Sequence, residues 1–112
     1  MESELTAKHC IPCRGDLPPL KRPALEDLVR RIDAGWRLVE DHHLARRFEF
    51  KDFRGALDFT NRVGELAEKE GHHPDIGLGW GRVDLRIWTH VIDGLAESDF
   101  ILAAKVDRLA TR

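Results

Sequence analysis

Between Asp52 and Glu70 the apolar residues Phe53, Leu57, Phe59, Val63, Leu66 and Ala67 recur at the spacing of one stripe along a helix. Asp52 is placed to cap its first turn, and Gly71 supplies the left-handed exit that ends such a helix. A long amphipathic rod is stable only when its stripe lies on an apolar surface, and the flanking segments offer one. Residues 36–40 and 44–50 alternate, with Phe48 and Phe50 on one face and Asp41-His42-His43 between them as a hairpin turn. Residues 76–80 and 82–88 form a second pair, with Val83, Leu85 and Ile87 on one face and Asp84, Arg86 and Trp88 on the other. A helix over 24–34 (Leu25, Leu28, Val29, Ile32, then Gly35) precedes them. Another, starting at Ser98 or Asp99 and carrying Leu102, Val106 and Leu109, follows. The expected fold is α+β in the order α-β-β-α-β-β-α, a four-stranded antiparallel sheet with three helices packed on one face.

At 112 residues the chain has room for one domain, here 24–112, and its small core makes an oligomer the default expectation. Eighteen Lys and Arg against 20 Asp and Glu lack the cationic surplus of a dedicated nucleic-acid binder. No apolar run approaches the roughly 18 residues of a membrane helix, and the acidic start Met1-Glu2-Ser3-Glu4 is unlike a secretion signal. Residues 1–23 hold four of the five prolines and read as an extended arm that lies on the domain or frays from it. Within the arm, Cys10 and Cys13 form a C-x-x-C that could serve as half a zinc site or a redox dithiol. With no second cysteine pair and no strand–helix setting, structural or incidental reduced thiols are the simpler reading.

The chemistry concentrates in the histidines, of which there are six. His72-His73-Pro74 follows the long helix, at an end where positive charge is favoured. Pro74 holds His73 extended, so the two rings point in different directions. An antiparallel return of the last strand brings His90 toward them, and three imidazoles lining one cleft suit general acid–base catalysis. Helix capping alone also accounts for a single histidine there. A zinc site of His72, His73 and His90 is less apt, because adjacent side chains in an extended segment diverge. His42-His43 reads as a solvated hairpin tip. Gly77, Gly79 and Gly81 have strand spacing and mark close approach to a ligand or a second subunit, such as edge-to-edge dimerisation. No G-x-S-x-G, Walker or HExxH motif occurs.

In their spacing these residues resemble the pterin-4a-carbinolamine dehydratases. The signature reads Glu68, His72-His73-Pro74, Trp80, His90 and Asp99, flanked by Gly35-Trp36, 48–53, Asn61-Arg62-Val63, Ala67-Glu68-Lys69 and Gly94-Leu95. The likeness runs from about Leu25 to the C-terminus, and the N-terminal C-x-x-C with Pro18-Pro19-Leu20 looks like an extension of bacterial members. The resemblance implies a cytoplasmic homodimer or homotetramer, acting on a small-molecule pterin, with no metal or organic cofactor. The expected reaction converts 4a-hydroxytetrahydropterin to quinonoid dihydropterin and water. It recycles the tetrahydropterin of aromatic amino-acid hydroxylases, a functional link to phenylalanine hydroxylase.

By the same resemblance His72, His73 and His90 are the catalytic set. His72 and His90 are expected to protonate the departing hydroxyl, and His73 to hold the pterin and accept a ring proton. Glu68 is expected to orient an imidazole or bind the pterin edge, Trp36 to wall the cleft, Thr89 to offer backbone contacts, and Asp99 to cap the last helix. Gly71 and Ser98 replace an acidic residue and an arginine of some members. The competing reading is a binding or assembly protein on the same scaffold, without direct contact to nucleic acid or membrane.

Overall fold

The structure is a computed structural model describing residues 4–8, 10 and 18–110. Helix α1 (Ala24–Val29) leads into strands β1 (Arg37–Val39) and β2 (His43–Glu49), then helix α2 (Phe53–Glu70), strands β3 (Asp75–Gly79) and β4 (Arg82–Ile87), and helix α3 (Glu97–Ala110). The strands form one antiparallel sheet in the order β1-β2-β4-β3. The expected element order and layering hold.

Alternation in the central strands decides which face is covered. Leu44, Phe48, Val83, Leu85 and Ile87 are buried beneath the helices. Arg47, Asp84 and Arg86 point the other way, into the open face, where Arg47 meets Asp84 at 2.7 Å. Asp52 Oδ1 accepts the Gly55 N–H at 2.8 Å, and Gly71 leaves α2 with φ +67°. The buried stripe of α2 is Ala56, Phe59, Val63, Ala67 and Glu70. Phe53, expected in that stripe, stands in the first turn of α2 and is 43 % exposed. Phe59 and Phe100 are fully buried, each contributing on the order of 1.5–3 kcal/mol of apolar transfer.

Three local expectations change. Helix α1 stops at Val29, short of Ala34, although Ile32 remains buried. Asp33 redirects the backbone there: its side chain accepts the Gly35 N–H at 2.8 Å, and its own N–H reaches Asp107 on α3 at 3.2 Å. The first hairpin turns at Glu40 and Asp41, both left-handed (φ 52° and 56°), and His43 already belongs to β2. The arm is not simply extended: Glu4–Ala7 forms a 3-10 turn with Leu5 1 % exposed.

The arm is fastened at further points. The Cys10 N–H donates to Glu70 Oε1 at 2.9 Å, Lys8 meets Glu97 at 2.9 Å, and the Leu20 N–H donates to the Leu95 carbonyl at 2.8 Å. Pro19 packs so closely on Gly94 that a Cβ there would stand 2.6 Å from it. Burial, then the neighbouring Glu70 charge, pushes the Cys10 thiol up to about 12. Such a thiol stays protonated near neutral pH and is a poor nucleophile. Cys13 lies outside the described residues.

Candidate active site

The site is built where α2 ends and β4 runs out. Because Gly71 turns left-handed, the N–H of His72 can reach back to the Ala67 carbonyl at 3.2 Å, which fixes the backbone of the histidine pair. The last strand then delivers Trp88, Thr89 and His90 to the same place, as its antiparallel pairing with β2 and β3 requires. His72, His73, Trp88, Thr89 and His90 line one cleft of about 250 Å³. That is below the roughly 300–1,000 Å³ of pockets that enclose a drug-sized ligand.

Each member of the His-His pair is held by a carboxylate. His72 Nε2 donates to Asp99 Oδ1 at 2.5 Å, and Asp99 is completely buried. The other Asp99 oxygen accepts the Thr89 hydroxyl at 2.8 Å and the Ala96 N–H at 2.8 Å. Asp99 is therefore the third residue of α3 reaching back to cap its start, and at the same time the orienter of His72. His73 Nε2 donates to Glu68 Oε2 at 2.5 Å, in the open: the two side chains are 60 % and 79 % exposed. Both bonds occupy Nε2 and leave Nδ1 as the nitrogen available to a ligand.

His90 opens a 3-10 turn, His90–Ile92, and its ring lies 4.3 Å from the Trp88 indole, centroid to centroid. The turn is closed by paired backbone bonds between Thr89 and Gly94, at 2.9 and 3.4 Å. The N–H of Thr89 is thereby committed, and its hydroxyl donates to Asp99.

Trp36 is not in the cleft. It is 4 % exposed, stacks edge-on with Phe48, and donates Nε1–H to Asp107 Oδ1 at 2.8 Å. Its place beside β1, across the sheet from β3, makes it a core residue. Trp80, the aromatic of the spaced signature, sits 72 % exposed at the β3–β4 turn. Two roles escaped the sequence reading. The histidines of the first hairpin are not a bare solvated tip: both pack on Trp88, at 5.4 and 5.8 Å. Asp99 braces an imidazole, for which its place in the signature was the available signal. Among the described residues no group of three or more His, Cys, Asp or Glu converges as metal ligands would. A larger hollow, about 410 Å³, lies on the open sheet face between Arg37, Arg47 and Arg86 and contains none of the candidate residues.

The fold and cleft define a small α+β protein with a carboxylate-braced histidine site. Residues 18–109 match the family described as pterin 4 alpha carbinolamine dehydratase, and the chain belongs to that family. It is 61 % identical over 107 residues to a Rubrobacter xylanophilus protein named "Putative pterin-4-alpha-carbinolamine dehydratase", covering 96 % of this chain and 99 % of that one. An Alkaliphilus metalliredigens protein of the same name is 50 % identical over 106 residues, 95 % of this chain and 96 % of the other. Among solved structures, the chain is similar to a transcriptional coactivator/pterin dehydratase from Brucella melitensis. There the TM-score is 0.76 at 32 % identity, over 82 % of this chain and 98 % of that one. It is also similar to a pterin dehydratase-like protein identified as a RuBisCO assembly factor in the alpha-carboxysome. That likeness has TM-score 0.58 and 28 % identity, over 68 % and 89 % of the two chains.

Proposed function

We propose that this protein dehydrates 4a-hydroxytetrahydropterin to quinonoid dihydropterin by histidine acid–base catalysis. The observation that carries the reading is the pair of adjacent imidazoles, each with Nε2 tied to a carboxylate, lining one cleft together with a third. Loss of water requires a proton on the departing 4a-hydroxyl, breakage of the C4a–O bond, and removal of the proton from the neighbouring ring nitrogen. Imidazole performs both transfers near neutral pH, and a positioned acid or base contributes typically 10²- to 10⁴-fold. His72 and His90 serve as acids toward the hydroxyl, for opposite 4a stereoisomers. His73, the most exposed of the braced pair, holds the pterin and takes the ring proton. Glu68 orients His73, and Asp99 with Thr89 orients His72.

The reaction belongs to recycling of the tetrahydropterin used by aromatic amino-acid hydroxylases, phenylalanine hydroxylase among them, in the cytoplasm. Strand β3 is a sheet edge with Gly77 and Gly79 on it and Ile76 37 % exposed, which favours assembly into a homodimer or homotetramer. Light scattering on the full chain tests that: a monomer at micromolar concentration removes it. Stopped-flow ultraviolet recording of 4a-hydroxytetrahydropterin decay tests the enzyme. Acceleration by the wild type that His73→Ala loses is the expected result, and no acceleration over buffer overturns it.

A binding or assembly role on the same scaffold is the second reading, favoured by the likeness to the RuBisCO assembly factor. An inactive protein that copurifies stoichiometrically with a partner is the outcome that would establish it.

A further inference from the structure

His72 and His73 each have a carboxylate to aim them; the ring of His90 has no hydrogen-bond partner among the described residues. Among the described residues its one ring contact is Trp88, at 4.3 Å with the planes inclined by 43°. The indole also packs against His42 and His43 of the β1–β2 hairpin, at 5.4 and 5.8 Å. Those two rings meet edge-on, with Nδ1 to Nδ1 at 3.0 Å, a contact that needs one donor and one acceptor. Burial first, then the neighbouring His42, holds His43 below the usual histidine range. His42 is left with Nε2 directed at Asp93 Oδ1, 2.7 Å away and 51 residues along the chain.

Asp93 closes the turn that His90 opens. Its N–H donates to the His90 carbonyl at 3.1 Å, and its own backbone is left-handed, φ +50°. The hairpin therefore grips the His90 segment twice, through Trp88 on the ring and through Asp93 on the backbone.

We infer that Trp88, His42 and Asp93 are positioning residues that aim the His90 imidazole into the cleft. The catalytic consequence rests on the dehydratase reading; the orientation of the ring does not. A ring aimed by stacking and by an exposed ion pair is held less firmly than one aimed by a buried carboxylate. The indole carries more of the effect than the Asp93 pair, since exposed pairs contribute about 0.2–1 kcal/mol.

The test follows the ring protons of His90 by NMR in the full-length protein, beside steady-state dehydration kinetics, in four variants. Trp88→Ala removes the face and Trp88→Phe restores an aromatic one. Asp93→Asn keeps a residue tolerant of positive φ while removing the carboxylate. His42→Gln retains an N–H near the Nε2 position. Wild-type His90 should show ring-current shifts that Trp88→Ala abolishes and Trp88→Phe largely recovers. The kcat of Trp88→Ala should fall roughly ten-fold or more, in line with the sensitivity of catalysis to ångström displacement, with KM little changed. Asp93→Asn should lower kcat by no more than about five-fold, the equivalent of a surface ion pair, and His42→Gln by less.

Unchanged His90 shifts in a folded Trp88→Ala overturn the inference. So do altered shifts with wild-type kcat. An inactive wild type defeats the dehydratase reading instead, and the NMR arm still decides how His90 is held.

Discussion

His72 and His73 are neighbours in the chain, and each donates from Nε2 to a carboxylate at 2.5 Å. There the likeness ends. The first pair is 15 % and 0 % exposed, the second 60 % and 79 %. A buried charge that loses its partner is left uncompensated in a poorly polarisable interior, whereas an exposed one turns to water and is screened. Equal bond lengths therefore carry unequal energies. The buried pair anchors architecture, with Thr89 and Ala96 also tied to Asp99. The exposed pair is free to meet a ligand.

The largest effect should come from Asp99→Ala, which strands His72, the Thr89 hydroxyl and the Ala96 N–H together. Stability should drop by roughly 3–5 kcal/mol, the cost of breaking a buried pair. A urea midpoint shifted by the equivalent of less than about 1 kcal/mol would erase the distinction. Next comes His73→Ala, expected to cut dehydration by about 10²-fold or more while leaving stability within ~0.5 kcal/mol. It should exceed His72→Ala and His90→Ala in activity lost, and three equally small losses would remove the cleft as the site. Glu68→Gln sharpens the contrast from the solvent side. Both the stability change and the kinetic change should stay within about 1 kcal/mol, or five-fold, and a Tm deficit comparable to that of Asp99→Ala would contradict it.

The smallest effect concerns pH. The pKa of His43 is lowered from 6.5 in the fold, chiefly by burial, so below that value the unfolded chain binds more protons than the native one. Its contribution is intact above 6.5 and is lost as pH falls beneath it. His43→Gln should flatten the decline of the urea midpoint between about pH 7 and pH 5; an undiminished slope would show that another group causes it.

Much of this molecule could be read in the chain because the relevant signals are local. The Asp52 cap, the Gly71 exit, and the alternation of Val83, Leu85 and Ile87 each express a period or a backbone preference within a few residues. The histidine cleft followed from two such elements and a resemblance. What stayed hidden depends on partners far along the sequence. Nothing near Ile32 announces that Asp33 will turn toward Asp107, 74 residues later. Trp36 has the look of a cleft wall until Asp107 and Phe48 claim it. His42 reads as solvated until Asp93 and Trp88 appear beside it.

Asp99 begins a helix and braces an imidazole with the same carboxyl group. A chain in which α3 has not yet docked thus has no carboxylate to set His72, nor one to receive the Thr89 hydroxyl. Assembly of the cleft and completion of the fold are one cooperative event. A half-folded species without α3 lacks the His72–Asp99 bond, and on the dehydratase reading turnover during denaturation becomes a gauge of how many molecules have their final helix in register.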